Sequence, residues 1–197
     1  MTQTHTRPLQ AHQRAWISAL DRYEQRYPQE IDSIGLFRTF MLARPDAAER
    51  SRTQGHLTGS AWLVSADGAR TLLTHHRKLD RWLQPGGHAD GDVELARVAL
   101  REAEEETGLS DLMVEPAIFD LDRHKITARG NEPAHWHYDV RYVVCAQGSE
   151  DFTISAESHA LAWRDIVELV DDSTADESLR RMASKWLMRD AIHRAYS

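Results

Sequence analysis

The chain is 197 residues long, 41% hydrophobic and 28% charged, with a formal net charge of −7. That length suits one domain with room for extra helices, and the acidic balance argues against broad contact with a nucleic-acid backbone, which requires a basic surface. No apolar run approaches the ~20 residues of a membrane span; the first ten residues hold no apolar core for a secretion signal, and the single Cys145 excludes an internal disulfide framework, so a cytoplasmic location is expected.

Residues 11–27 predict an amphipathic helix, with Trp16, Leu20, Tyr23 and Tyr27 on one face and Pro28 as its stop. A second helix is expected over 29–43, carrying Ile34, Phe37 and Met41 on one side and ending before Pro45. Residues 45–54 are polar and read as a connector. From Gly55 the period changes to two, and 56–65 and 69–74 predict a hairpin turning at Ala66-Asp67-Gly68. A Gly-rich loop, 84–91, leads into a helix from about Asp92 to Thr107, closed by Gly108 as a left-handed cap. Strands follow at 113–120, 135–146 and 159–163, and helices at 164–170 and 176–194. Interleaved strands and helices indicate an α/β or α+β domain, and the hairpin argues against an all-parallel sheet. The chain divides into an N-terminal helical extension, 1–54, and a main domain, 55–197.

The segment Gly87–Leu109 carries the chemistry. On a helical wheel Ala96, Ala99, Leu100, Ala103 and Thr107 form a narrow stripe that lets a helix lie close to a sheet. Glu102, Glu105 and Glu106 share another face, while Glu104 points elsewhere, near Arg97. Acidic helix faces are usually just solvated. Here three like charges repel one another near the unfavourable end of the helix dipole. Arg101 can relieve part of that cost through Glu105 at i+4, and a hard divalent cation would relieve more.

Gly87, Arg101, Glu102, Glu105, Glu106, Gly108 and Leu109 stand at the offsets of G-x5-E-x7-R-E-U-x-E-E-x-G-U, where U is a bulky aliphatic residue, and the segment thereby resembles the Nudix hydrolase family. Two positions depart from the pattern. Val93 stands where the first glutamate belongs, with Asp92 and Glu94 as neighbouring substitutes, and Ala103 replaces the bulkier aliphatic. The resemblance implies an α/β/α sandwich around a mixed sheet, with 87–109 as the catalytic loop-helix-loop. It implies Mg²⁺, with Mn²⁺ as an alternative, held by Glu102, Glu105, Glu106 and the Gly87 carbonyl. A later carboxylate, for which Glu157 is the candidate, would complete the set. Arg101 would orient a glutamate, and Glu102, Glu105 or a residue elsewhere would take a proton from water. The implied reaction is hydrolysis of a pyrophosphate in a nucleoside diphosphate linked to another group.

Outside the helix, strand 135–146 alternates. Trp136, Tyr138, Val140, Tyr142 and Val144 form a core face, whereas His135, His137, Asp139 and Arg141 face the other way. These four are either solvated or line a substrate cleft beside the glutamate helix. His135-x-His137 also suits Zn²⁺, with no third ligand evident. His88 is a cleft candidate next to Gly87, and Arg77 and Lys78, after His75 and His76, are candidate phosphate contacts. Cys145 and the tryptophans read as packing residues. The N-terminal helices either cover a sheet face or form a homodimer contact. Two alternatives compete with hydrolysis: a catalytically silent ligand-sensing or interaction module, and an isoprenoid diphosphate isomerase, for which Cys145 inside a strand is a poor nucleophile.

Overall fold

A computed structural model describes residues 8–43, 45–130, 133–155 and 158–195, the last six of these by their backbone. The elements in order are α1 (Ala11–Arg26), a 3₁₀ turn (Pro28–Glu30), α2 (Ile31–Ala43), β1 (Gly55–Val64), β2 (Arg70–His76), β3 (Arg81–Leu83) and β4 (Gly86–His88). They continue as α3 (Leu95–Thr107), β5 (Leu112–Ile126), β6 (His135–Ala146), β7 (Ser158–Asp165), α4 (Ile166–Asp171) and α5 (Glu177–Ala195). The strands form one mixed sheet in the order β3-β2-β1-β6-β5, with β4 on β1 and β7 on β2. β1 and β6 run parallel in register, Gly55 opposite Trp136 through Val64 opposite Cys145. The β1–β2 hairpin pairs at Val64 and Thr71.

Helices cover both faces, as an α/β/α sandwich requires. On one side α1, α2 and α3 bury Trp16, Leu20, Ile34, Phe37, Val98 and Ala99 against Leu57, Val140 and Tyr142. On the other, α4 and α5 bury Leu169, Leu179, Met182 and Trp186 against Trp62, Leu73 and Val143. The predicted core face of β6 is therefore correct, and the N-terminal helices cover the sheet. Gln13 fastens α1 to α2 by donating to the Met41 carbonyl at 3.1 Å. Among the described residues no helix is long and apolar enough to cross a membrane.

Several expectations need correction. Residues 45–54 are not a loose connector: Ala47 and Ala48 are buried, and their carbonyls accept from Leu57 N–H and Gly91 N–H. The helix expected from Asp92 begins at Leu95, because Asp92 turns back to accept the Glu94 N–H at 2.9 Å. Arg97 does not reach Glu104. Its guanidinium grips both Asp92 oxygens, at 2.9 and 2.6 Å. The first strand after α3 extends to Ile126, beyond the expected 120. Two short strands, β3 and β4, fall in and just before the segment read as a Gly-rich loop.

Candidate active site

α3 lies close to β1 because both surfaces are small. Ala99 and Ala103 are fully buried, and a Cβ at Gly59 would stand 2.9 Å from the Leu95 carbonyl oxygen and from Val98 Cγ1. The helix ends as its sequence predicts. Gly108 takes φ 68° in the left-handed region and its N–H returns to the Glu104 carbonyl at 2.9 Å.

This close packing sets the acidic face of α3 against β4. The Gly86 N–H donates to Glu106 Oε1 at 2.9 Å. The Glu102 carboxylate lies directly over Gly87, where a Cβ would overlap it. Arg101 Nη2 donates to Glu102 Oε1 at 2.8 Å and to the His88 carbonyl at 3.1 Å, while its Nε stands 4.0 Å from Glu105. The main partner of Arg101 is thus Glu102 rather than the i+4 residue. The bond to Glu102 raises the Arg101 pKa against the opposing effect of burial. Exposure separates the three carboxylates: Glu102 is 16% exposed at its side chain and Glu105 65%. Glu102 and Glu106 are anchored on β4, and Glu105 projects outward.

The Glu102 and Glu106 oxygens, set beside a glycine backbone with one guanidinium as tether, are donors of the kind a hard divalent cation takes, and Glu105 stands on the same helix face. Val93 supplies no carboxylate. Its side chain packs into the α1–α2 cluster, and its carbonyl accepts from Trp16 Nε1 at 2.9 Å. Asp92 is occupied by Arg97 and Glu94 is exposed. Glu157 lies outside the described residues.

The polar residues of β6 lie elsewhere than expected. Because side chains alternate across a sheet, Gly59 and Leu57 face α3, while His56, Thr58 and Ser60 face the other side. Register carries His137, Asp139 and Arg141 to that same side, opposite His56, Thr58 and Ser60. β5 adds Asp120, Asp122 and His124 opposite Arg141, Asp139 and His137. These residues are therefore across the sheet from the glutamate helix, not beside it. His88, in register with Thr58, shares their side, so β4 presents Gly87 to one face and His88 to the other.

That face is graded. Under α5 it is apolar, and next comes a buried ionic network. Asp139 accepts from Thr58 and Ser60 hydroxyls, each at 2.8 Å, and from Arg141 Nε at 2.8 Å. Arg141 Nη1 reaches Asp120 at 3.2 Å. Arg181 and Lys185 of α5 close on the same Asp120 at 2.8 and 2.6 Å. Burial alone would raise the Asp120 pKa, but Arg181, Arg141 and Lys185 outweigh it and hold the carboxyl low. At Asp122 too, burial would raise the pKa, but His124, Arg141 and Arg181 outweigh it and hold the carboxyl low. Asp139 and Arg141, buried and fully engaged within the protein, bind β1, β5, β6 and α5 together.

Beyond the network lies a histidine cluster. The His56 ring centroid is 5.0 Å from His88, 5.0 Å from His135 and 4.8 Å from His137. Nε2 of His135 and of His137 are 3.1 Å apart, and His135 Nδ1 donates to the Pro133 carbonyl at 2.8 Å. Burial, then the charge of His88, pushes the His56 pKa down to about 4, and burial, then His56, pushes His137 down as well. His56 was missed in the sequence. Its signal was one polar residue in an alternating run, and its partners depend on a parallel pairing 81 residues away. Arg77 and Lys78 sit in the turn after β2, where Arg77 Nη2 donates to the Ser158 carbonyl at 3.2 Å. Cys145 is half-buried against the α5 cluster, and burial raises its pKa. A cavity of about 500 Å³ opens on the α4–α5 side, lined by Trp82, Arg164 and Asp176 among others, and includes none of Glu102, Glu105 and Glu106.

The same frame recurs in known structures. An Ap4A hydrolase of C. elegans superposes with a TM-score of 0.55 at 16% identity, covering 68% of this chain and 97% of its own. The MutT protein of Methanosarcina mazei Go1 gives 0.55 at 17%, covering 71% and 97%. The E. coli dihydroneopterin triphosphate pyrophosphohydrolase gives 0.55 at 15%, covering 68% and 95%. At such identities the likeness establishes the fold. No curated protein sequence matches. The family model described as NUDIX domain matches residues 56–186. That span is more than half of the chain and contains the loop, the glutamate helix and the strands that hold them, so the chain belongs to the Nudix family.

Proposed function

We propose that this protein hydrolyses a pyrophosphate linkage in a nucleoside diphosphate joined to another group, with Mg²⁺ or Mn²⁺ held at the glutamate face. The observation that carries the reading is the placement of Glu102 and Glu106 against Gly86–Gly87, with Glu105 on the same helix face and Arg101 fastening Glu102 and the His88 carbonyl. The C. elegans and E. coli proteins that share the fold are by name an Ap4A hydrolase and a dihydroneopterin triphosphate pyrophosphohydrolase, which supports the same class.

Glu102, Glu105, Glu106 and the Gly87 carbonyl would hold the cation, with Glu157 as a further carboxylate. When bound, it supplies Lewis acidity toward the pyrophosphate oxygens and acidifies water. The protein's own groups do the rest. Arg101 fixes Glu102, and a carboxylate tied to a guanidinium is a poor proton acceptor. Glu105, mostly exposed and 4.0 Å from Arg101 Nε, takes the proton from the attacking water. Glu106 holds the Gly86 N–H and so keeps β4 against α3. Arg77 and Lys78 act as outer phosphate contacts. Asp139 and Arg141 are positioning residues that hold the strands under the site.

The test is product release from a panel of pyrophosphate compounds in Mg²⁺: sugar nucleotides, dinucleotides, nucleoside triphosphates and non-nucleotide pyrophosphates. Turnover of at least one, with two phosphorylated products (one phosphorylated product plus inorganic pyrophosphate or phosphate for a triphosphate), is expected. Binding across the panel without turnover would overturn the proposal in favour of a silent sensing module.

A further inference from the structure

We infer that His56, His88 and His137 form a second metal site, selective for a Zn²⁺-class transition ion and separate from the glutamate face. Each offers one ring nitrogen, and the three nitrogens lie within 4.8 Å of one another. They come from three adjacent strands, β1, β4 and β6, whose register brings them to one end of one sheet face. Ligands about 2.0–2.1 Å from a tetrahedral ion stand roughly 3.3 Å apart, so the ring nitrogens need to close by at most about 1.5 Å.

An independent observation points to a ligand. His56 is 2% exposed, yet neither of its ring nitrogens completes a hydrogen bond, and the Arg52 backbone approaches the ring without meeting bonding geometry. A buried polar group without a partner costs about 1–3 kcal/mol, and coordination would remove that cost. His135 is built to join as the fourth ligand. Its Nδ1–H is anchored on the Pro133 carbonyl, which turns the Nε2 lone pair toward His137 Nε2 at 3.1 Å. A ring N–H held by a carbonyl is the usual outer support of a metal-bound imidazole. Charges of both signs act on this end of the sheet face, Arg50 on His56 and Asp122 and Asp139 on the neighbouring His124.

The ligand set separates the two sites chemically. Imidazole nitrogens favour Zn²⁺, Ni²⁺ or Co²⁺, whereas carboxylate and carbonyl oxygens favour Mg²⁺. Four protein ligands make a closed, structural site. Its effect would be to clamp β4 to β1 and β6, and β4 is the strand whose opposite face carries Gly87.

The test is Zn²⁺ binding to the metal-free full chain, by competition with a chromophoric chelator, together with the visible spectrum of the Co²⁺ form. One ion per chain and the intense absorption of tetrahedral Co²⁺ are expected. His137→Gln should weaken binding at least about 100-fold, more than loss of an outer support costs. His88→Gln, at a half-buried position, gives the same readout if the first variant fails to fold. Glu105→Gln, at a residue that projects outward from α3 and holds no part of β4, should leave Zn²⁺ affinity unchanged, as should His159→Gln, which pairs with His75 elsewhere. Zn²⁺ binding that survives both His137→Gln and His88→Gln, or an octahedral Co²⁺ spectrum, overturns the inference. Loss of Zn²⁺ binding in Glu105→Gln would also overturn it.

Discussion

Gly87→Ala separates the role of the glutamate face from the stability of the fold. Gly87 is not among the glycines with positive φ, so an alanine backbone fits there without strain. The added Cβ would meet the Glu102 carboxylate, with the carboxyl carbon at 2.5 Å where ordinary contact begins at 3.4 Å. Glu102 must therefore retreat by about 0.9 Å. It is the far end of a flexible side chain, so the stability cost stays within about 1 kcal/mol. Catalytically the same shift is large, because a misplacement of about 1 Å costs on the order of 10²-fold in rate, or about 2.7 kcal/mol of barrier. The assay is initial rate over an Mg²⁺ series with the best compound of the panel, alongside urea midpoints. Gly35→Ala in α2, where nothing lies within 4 Å of the new Cβ, is the control. It should keep the full rate and gain about 0.5–1 kcal/mol in stability. A Gly87→Ala protein that folds normally and retains its rate would refute the argument.

Arg101→Lys keeps the charge but loses the fork that spans Glu102 and the His88 carbonyl. It should lower kcat by about 10–100-fold with KM little changed, measured by steady-state kinetics. Asp120→Asn leaves Arg141, Arg181 and Lys185 without their shared, fully buried counter-charge, and should cost about 3–5 kcal/mol by urea unfolding. Acid titration reads the same network. Asp120 and Asp122 have depressed folded pKa values, so their contribution is complete above the unfolded value of about 3.9 and is lost as pH falls through the lower folded values. Urea midpoints should drop steeply below about pH 4, and less steeply in Asp120→Asn.

What could be read from the sequence was what is decided locally. The small stripe of α3, the shared face of Glu102, Glu105 and Glu106, and the Gly108 cap depend on neighbours within a turn or two, and the helix forms accordingly. The core face of β6 followed from alternation alone. The N-terminal end of α3 was misjudged because Asp92 has two options, helix residue or turn acceptor, and the Glu94 N–H and Arg97 select the second. Residues 45–54 look polar, but Ala47 and Ala48 are held by backbone bonds to Leu57 and Gly91, which no local pattern announces. The histidines illustrate the same limit. His135 and His137 were visible as a pair, but His56 and His88 join them only through the parallel β1–β6 pairing and the antiparallel β1–β4 pairing. Those pairings also put His135, His137, Asp139 and Arg141 across the sheet from α3, which alternation within one strand could not determine.

The central claim is that the glutamate face performs the chemistry, and the most direct measurement is Mg²⁺-dependent turnover by wild type and Glu106→Gln on the same compound. The account predicts that the variant stays folded, loses at least about 10²-fold in kcat, and requires more Mg²⁺ to reach half its maximal rate. Wild-type kinetics and Mg²⁺ dependence in Glu106→Gln would contradict it and place the chemistry elsewhere in the molecule.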